Sequence, residues 1–187
     1  MISEIQYRPA AFIDRDGTLI EEVNFLSRIA DLQLFDFTRK AIDLLKKNGF
    51  LVVVVTNQSG IGRGIYTVDD MHTIHHAMQE RLNGAIDAFY FCPHLPDGDC
   101  SCRKPKLGMI EQAQKDFHID LSRSWMIGDK KIDIETAYNA GISSAMVMTG
   151  YGASHLETLV EMPTMVAGNL LEAVEKMFSR EPSATGR

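Results

Sequence analysis

Two aspartates near the start of the chain form the pattern best suited to chemistry. Asp14 and Asp16 stand in the segment F-I-D-R-D-G-T, directly after a short apolar stretch. One carboxylate placed in this way can attack phosphorus and help to bind Mg²⁺, while its neighbour passes a proton to the leaving oxygen. The alternative is an acidic turn, because Asp-Gly is also common turn chemistry. The motif therefore favours phosphoryl transfer, provided that other segments supply the remaining groups.

Two further polar segments follow apolar runs. Residues 56–59 (T-N-Q-S) come after F-L-V-V-V-V, and their hydroxyls and amides could donate hydrogen bonds to a phosphate. A polar loop made flexible by glycines explains this segment equally well. Asp129 follows the run S-W-M-I, where an unpaired carboxylate would be costly and a Mg²⁺ shared with Asp14 would remove that cost. Asp133 could support the metal or cap the next helix, and we favour the cap.

A basic pair is the third chemical feature. Arg103 and Lys104 precede Pro105, which disfavours helix at Lys104 and places the pair in an extended loop. A lysine there could neutralise a phosphoryl group, and the arginine could clamp substrate oxygens. Together with Arg63 and Lys130, Arg103 could also bind a second phosphate. The alternative is an ordinary solvated pair.

All three cysteines lie close together in the sequence. They are Cys92, Cys100 and Cys102, and His94 lies between the first two. An odd number of clustered thiols argues against a disulfide framework. A Cys₃His set suits tetrahedral Zn²⁺ in a closed structural site. Such a metal would fix the loop 92–102 and aim the basic pair at the site. The alternative is free thiols beside a loop histidine, and we expect the other five histidines to be solvated or packed against helices.

Apolar runs alternate with segments of helical spacing along the whole chain. This alternation predicts an α/β fold of the Rossmann-like, doubly wound type, a parallel sheet with helices on both faces. Ligands of such sheets bind beyond the carboxyl ends of the strands, where the aspartates and residues 56–59 would meet. Strands are predicted at 11–13, 50–55, 88–91, 124–127, 144–148 and 165–167. Helices are predicted at 38–48, 68–82, 108–117, 132–139, 155–161 and 170–178.

Size and charge limit the remaining possibilities. The 187 residues predict a single domain over 1–178, followed by a disordered tail over 179–187. A net charge of −6 argues against a broad nucleic-acid surface. No apolar run of about 18 residues and no leader-like start is present, which predicts a cytoplasmic protein without membrane contact. The compact chain also suggests a monomer.

Four segments, taken in chain order, resemble the motifs of the haloacid dehalogenase superfamily. They are the aspartate pair at 14–16, residues 56–59, the basic pair at 103–104 and the segment 128–133. The resemblance implies that Asp14 is the nucleophile that forms an aspartyl-phosphate, and that Asp16 acts as acid and then as base. It implies that Thr56 and Lys104 bind the phosphoryl group. Mg²⁺ would be held by the Asp14 carboxylate, the Asp16 main-chain carbonyl and Asp129.

The motifs C-P-H and C-x-C-R-K-P are similar to those of a narrower branch with a minimal cap. That branch contains heptose bisphosphate phosphatases, which serve the synthesis of nucleotide-activated heptose, and histidinol-phosphate phosphatases. The stretch N-Q-S-G-I-G-R-G resembles the heptose enzymes, whereas the compact zinc loop is similar in length to that of the histidinol enzymes. A small phosphorylated sugar is the favoured substrate, although Glu21 and Glu22 would suit a cationic one. The candidate substrate contacts are Arg15, Glu22, Asn24, Asn57, Gln58, Ser59, Arg103 and Lys130. A polynucleotide 3′-phosphatase and a non-catalytic binding module are less favoured alternatives.

Overall fold

The computed structural model describes residues 6–179. They form a single six-stranded sheet in which every strand runs parallel to its neighbours, in the order β3-β2-β1-β4-β5-β6. The strands are β1 (Ala10–Ile13), β2 (Leu51–Asn57), β3 (Ala88–Cys92), β4 (Trp125–Gly128), β5 (Ser143–Val147) and β6 (Met165–Ala167). The predicted parallel sheet is confirmed. The predicted tail lies outside the described residues, apart from Ser179, which still belongs to the last helix.

Central strand β1 pairs with β2 on one side and with β4 on the other. Ile13 is in register with Val54 of β2 and with Ile127 of β4. The strand order reverses at β1, and parallel sheets open a crevice at the carboxyl end of such a strand. The residues after β1, β2 and β4 therefore converge on one site.

Between residues 6 and 179, seven helices connect and cover the strands. They are α1 (Thr38–Lys47), α2 (Ser59–Gly62), α3 (Val68–Arg81), α4 (Gly108–Asp116), α5 (Lys131–Ala140), α6 (Gly152–Leu156) and α7 (Leu170–Ser179). Short 3₁₀ turns lie at Ile29–Asp31 and Leu121–Arg123.

Alternate residues of the strands pack into two separate cores. Ile13 and Val54 contribute to the core beneath α1, α3 and α7, whereas Phe12 and Val53 contribute to the core beneath α4 and α5. Both faces of the sheet are thus covered by apolar helix surfaces, which explains why β2 is a continuous apolar run. Helices on both faces, as predicted, are confirmed.

Two local predictions were wrong. The helix expected over 155–161 is the short α6, which begins at Gly152 and ends at Leu156. It cannot continue, because the chain must return to pair β6 beside β5, and the Thr164 hydroxyl accepts a hydrogen bond from the Ser144 N–H at 3.0 Å. Residues 59–62, where no helix was predicted, form the single turn α2.

Within the described residues, no helix is long and apolar enough to cross a membrane.

Candidate active site

Asp14 lies where the central strand β1 ends. Its N–H donates to the Ile127 carbonyl at 2.9 Å, so strand β4 anchors it, and only 3% of the residue is exposed. Its Oδ1 lies 3.0 Å from Lys104 Nζ, and its Oδ2 lies 3.6 Å from Lys130 Nζ. Burial would raise the pKa of Asp14, but the two lysines outweigh burial and hold the pKa below its usual value. Asp14 is therefore an ionised and desolvated carboxylate, as a nucleophile requires.

Lys104 is buried in the loop before α4, and its ammonium group bridges two carboxylates. Nζ lies 2.6 Å from Asp133 Oδ1 as well as 3.0 Å from Asp14. Burial would lower the pKa of Lys104, but the two carboxylates raise it above its ordinary value. The side-chain amide of Asn57 fixes the loop, since it accepts from Lys104 N at 3.0 Å and donates to Lys104 O at 3.2 Å. Lys104 is a permanent cation aimed at Asp14.

Asp133 has two roles, one with each carboxylate oxygen. Oδ2 accepts the Lys130 N–H at 3.0 Å, which is the predicted cap at the start of α5, while Oδ1 pairs with Lys104. Burial raises the pKa of Asp133 to about 6, and Lys104 opposes the rise. The sequence pattern indicated the cap but gave no sign of the lysine partner.

Asp129 is fully buried after β4. Its Oδ2 accepts the Tyr151 N–H at 2.8 Å, but its Oδ1 has no hydrogen-bond partner among residues 6–179. Burial raises the pKa of Asp129 to about 7, Asp14 adds to the rise and Lys130 opposes it. A buried carboxylate oxygen without a donor is costly unless a cation satisfies it. Oxygens of Asp14, Asp129 and Asp133 lie within 4.8 Å of one another, so the site fits a divalent cation.

Two glycines let the backbone close around Asp129. Gly17 (φ +83°) and Gly150 (φ +54°) adopt left-handed conformations, and a Cβ on either would lie 2.3 or 2.2 Å from Asp129 Oδ2. The Thr149 hydroxyl donates to the Gly17 carbonyl at 2.6 Å and joins the two turns. Only glycine satisfies both the conformation and the space at these positions.

Asp16 is held by a buried network rather than by solvent. The Arg15 guanidinium donates to both of its oxygens at 3.0 Å, and Gln58 Nε2 donates to Oδ2 at 2.8 Å. Arg15 also donates to Gln58 Oε1 at 2.9 Å and lies 3.3 Å from His75 Nε2. Gln58 Nε2 donates in addition to Thr56 Oγ1 at 2.8 Å. The side-chain amide of Gln58 therefore orients both Asp16, the predicted acid–base group, and Thr56, the predicted phosphate ligand.

Tyr66 completes this network and was not found from the sequence. Its hydroxyl donates to Gln58 Oε1 at 2.5 Å, and burial raises the pKa of Tyr66 to about 12, which keeps the hydroxyl protonated. A Cβ on Gly60 would lie 2.1 Å from the Tyr66 ring, so this glycine provides space rather than flexibility. No local pattern marked Tyr66, because its role depends on the turn of α2.

Residues 21–26, here called the flap, overhang the site. Glu22 Oε2 lies 3.1 Å from Lys130 Nζ, and Glu22 Oε1 accepts the Asn24 N–H at 3.0 Å. Asn24 (φ 49°) and Phe25 (φ 66°) are consecutive non-glycine residues in the left-handed region. Backbone of this kind is held in place by its surroundings and occurs mainly at functional sites. The flap is therefore a shaped wall rather than a passive linker.

A cleft of about 210 Å³ joins the flap to the strand ends. Its walls are apolar or aromatic, formed by Phe25, Leu26, Tyr66 and Tyr151. Its polar lining comes from Arg15, Asp16, Glu22, Asn24, Asn57, Gln58, Ser59 and Lys130. The Arg63 guanidinium lies 5.9 Å from the centroid of the Phe25 ring, although Arg63 itself does not line the cleft.

The four predicted zinc ligands come together where β3 ends at Cys92 and in the loop that follows. Cys92 Sγ lies 3.7 Å from Cys100 Sγ and 3.5 Å from His94 Nδ1, and His94 Nδ1 lies 3.3 Å from Cys102 Sγ. A tetrahedron with Zn–S bonds of about 2.3 Å has edges of about 3.8 Å, so these separations suit one zinc ion. Arg103 Nη1 donates to the His94 carbonyl at 3.2 Å.

Asp16 and seven of the eight predicted substrate contacts line the cleft, whereas Asp14, Thr56 and Lys104 are buried and do not line it. Three of the predicted substrate contacts make hydrogen bonds within the protein. Arg15 holds Asp16, Asn57 holds the Lys104 backbone, and Arg103 faces the zinc loop instead of the cleft. Their contact with substrate stays a prediction. Residues that the sequence did not reveal are Tyr66, Tyr151, Phe25 and the partner role of Asp133.

The fold and the paired aspartates define a hydrolase of the haloacid dehalogenase class. The profile of the HAD-hydrolase-like family matches residues 101–173. A relative from Thermosynechococcus vestitus, named D-glycero-D-manno-heptose-1,7-bisphosphate 7-phosphatase, is 40% identical over 90% of this chain and 94% of its own. A relative from Photorhabdus laumondii, named D-glycero-alpha-D-manno-heptose-1,7-bisphosphate 7-phosphatase, is 41% identical over 77% and 85%. The chain belongs to this family of phosphatases.

A solved structure of a phosphatase also matches this fold. The D,D-heptose 1,7-bisphosphate phosphatase from B. bronchiseptica, solved with magnesium and phosphate, has a TM-score of 0.84 and 30% identity, and the match covers 90% of this chain and 97% of that one. The predicted superfamily and the predicted phosphatase activity are confirmed.

Proposed function

We propose that this phosphatase removes the 7-phosphate of D-glycero-D-manno-heptose 1,7-bisphosphate. The observation that carries the proposal is an ionised Asp14 between Lys104 and Lys130, next to a cleft that Lys130 lines, with the Arg63 guanidinium 5.9 Å from the Phe25 ring of that cleft. Relatives and a structural neighbour named for this reaction support the sugar. The product would feed nucleotide-activated heptose for a lipopolysaccharide core or S-layer, in the cytoplasm.

The chemistry divides between the two aspartates. Asp14 attacks phosphorus and forms an aspartyl-phosphate as the bond between phosphorus and the sugar oxygen breaks, and Asp16 gives that oxygen its proton. Asp16 then takes a proton from water, which attacks phosphorus, releases inorganic phosphate and restores Asp14. Lys104 and the Thr56 hydroxyl neutralise and hold the phosphoryl oxygens.

The carboxylates of Asp14 and Asp129 and the Asp16 carbonyl would hold Mg²⁺. When bound, Mg²⁺ supplies charge neutralisation for the phosphoryl oxygens. The donor set fits this ion, because hard oxygen ligands and a buried oxygen without a donor are what Mg²⁺ requires.

The second phosphate of the substrate needs cations away from the reacting centre. Two described residues are candidates to bind this phosphate: Lys130, which lines the cleft, and Arg63, which lies beside Phe25. Arg103 would be a third candidate if its hydrogen bond to the His94 carbonyl were broken. Glu22 already pairs with Lys130, so the flap presents less negative charge than its sequence indicates. This arrangement favours a bisphosphate over a cationic substrate such as histidinol phosphate.

Steady-state phosphate release with Mg²⁺ tests this assignment. The bisphosphate should exceed both heptose 7-phosphate and histidinol phosphate in kcat/KM by at least about tenfold, which corresponds to about 1.4 kcal/mol of discrimination. Asp14→Asn should lower turnover of every substrate by about 10⁴-fold or more, because the nucleophile is lost. A higher kcat/KM for histidinol phosphate would disprove the sugar assignment, while leaving the phosphatase chemistry intact.

We also propose that Cys92, His94, Cys100 and Cys102 bind one structural Zn²⁺. Metal analysis of purified protein should find about one zinc per chain, and none in Cys102→Ser. Loss of the loop anchor should cost about 2 kcal/mol, which lowers Tm by about 4–8 °C in a chain of this size. Ser101→Ala, an exposed change in the same loop, is the control. Full zinc content in the cysteine variant would refute the site.

A further inference from the structure

The Lys130 ammonium lies among four oxygens, three of which are the proposed magnesium ligands. Nζ is 3.4 Å from the Asp16 carbonyl, 3.6 Å from Asp14 Oδ2 and 3.9 Å from Asp129 Oδ1. The fourth oxygen, Glu22 Oε2, lies 3.1 Å away on the flap. A lysine that faces this set of oxygens lies directly beside the place where the divalent cation would be bound.

The charges around Lys130 explain why it lies there. Asp14, Asp129 and Asp133 bring three buried carboxylates together, while Lys104 is shared between two of them. Asp129 Oδ1 has no hydrogen bond within the described range, and the Lys130 ammonium lies 3.9 Å from it. Without Mg²⁺, Lys130 is therefore the group that neutralises this oxygen.

We propose that Lys130 is a built-in substitute for the metal, and that Mg²⁺ displaces its ammonium group away from Asp14, Asp16 and Asp129 and toward Glu22 and Tyr151 as it binds. This inference rests on the magnesium site of the proposed function. An ammonium and a divalent cation that face the same carboxylates at about 4 Å repel each other, so bound Mg²⁺ weakens the attraction of these oxygens for Lys130. Metal binding and the presentation of Lys130 to substrate are thus one exchange.

The cleft already contains the place to which Lys130 moves. Glu22 Oε2 lies within 3.1 Å of Nζ, and the exposed Tyr151 ring has its centroid 5.4 Å from Nζ. Both residues line the cleft in which the phosphorylated sugar is proposed to bind. The displaced ammonium can remain paired with Glu22 and the ring face until substrate oxygens arrive.

Calorimetric titration of MgCl₂ into substrate-free protein tests the exchange. Lys130→Met should bind Mg²⁺ at least about tenfold more tightly than the unchanged protein, because the competing cation is gone. Lys131→Met is the matched control: it removes an adjacent lysine that pairs with Glu135 at 3.5 Å, and its affinity should stay within about twofold. Equal or weaker binding by Lys130→Met would overturn the proposal, as would equal tightening in the control.

A crystal structure of the unchanged protein with Mg²⁺ gives a second measure that does not depend on the folding of a variant. Lys130 Nζ should have left the Asp16 carbonyl and Asp129 Oδ1, and an ammonium still in contact with both oxygens would also overturn the exchange. Failure of the magnesium site itself is distinguishable, because the unchanged protein would then bind no Mg²⁺, or Asp129→Asn would bind it equally well.

Discussion

At the scale of single residues, the orientation of one side-chain amide decides what the site can donate. Gln58 Oε1 accepts from Arg15 and Tyr66, so Nε2 must face Asp16 and Thr56. Because Thr56 Oγ1 accepts the amide proton, its own proton is left for a phosphate oxygen. The polarity of the phosphate site therefore depends on Tyr66, which does not itself reach the reacting atoms.

Tyr66→Phe tests this relay. Loss of the hydroxyl lets the amide of Gln58 turn over, so we expect kcat to fall by about tenfold with a smaller change in KM, and stability to fall by about 1 kcal/mol. Steady-state kinetics and urea unfolding measure the two effects. Tyr138→Phe, an exposed tyrosine on α5, should change neither. An unaltered kcat in Tyr66→Phe would show that other contacts are enough to fix Gln58.

At the scale of secondary-structure elements, α3 reaches the site through a buried histidine. His75 stacks on Phe89 of β3 with ring centroids 4.4 Å apart, and its Nε2 lies beside the Arg15 guanidinium. Burial, helped by Arg15, lowers the pKa of His75 to about 2. The ring is therefore neutral in the folded protein and accepts a hydrogen bond from Arg15.

This neutral histidine predicts a particular pH dependence of stability. Below about pH 6.5 the histidine is protonated in the unfolded chain but not in the folded chain. The free energy of unfolding therefore decreases as the pH is lowered, by up to about 1.4 kcal/mol per pH unit. Replacement by His75→Gln should make the decline between pH 6.5 and 4.5 shallower by that amount in urea unfolding. His76→Gln, an exposed neighbour on the same helix, should keep the full slope. Parallel slopes in the two variants would rule out a buried neutral ring.

Much of the element order followed from hydrophobic spacing, but the pairings between elements did not. The run before Thr56 predicted a buried strand, and the polar residues after three of the apolar stretches predicted a site at the strand ends. Contacts such as Arg15 with His75 or Lys104 with Asp133 join residues 60 and 29 positions apart. They exist because β1 is central in the sheet, and strand order is a tertiary property that local spacing does not contain.

At the scale of the whole molecule, the site is also a junction of the fold. The lysine between Asp14 and Asp133 ties the end of β1 to the loop before α4 and to the start of α5. Each of these groups is almost completely buried, so the ion pairs are shielded from water. Catalytic geometry and global stability therefore depend on the same contacts.

Asp133→Ala should consequently destabilise the entire domain. Removal of Asp133 breaks a buried ion pair, leaves Lys104 with Asp14 alone and costs about 3–5 kcal/mol, and the cap of α5 is lost as well. Thermal unfolding should show a Tm lowered by roughly 6–20 °C. Asp43→Ala removes an exposed ion pair with Arg39 and should cost less than about 1 kcal/mol. Similar losses from the two variants would mean that the buried pairs contribute little.

The flap has a consequence for how such enzymes diversify. Its backbone shape is held by its surroundings, yet its exposed side chains stand apart from the two hydrophobic cores and from the acidic pair that performs the chemistry. New preferences among phosphate esters can therefore evolve through substitutions at the cleft rim alone. The inherited scaffold and reaction would pass unchanged from one metabolic role to another.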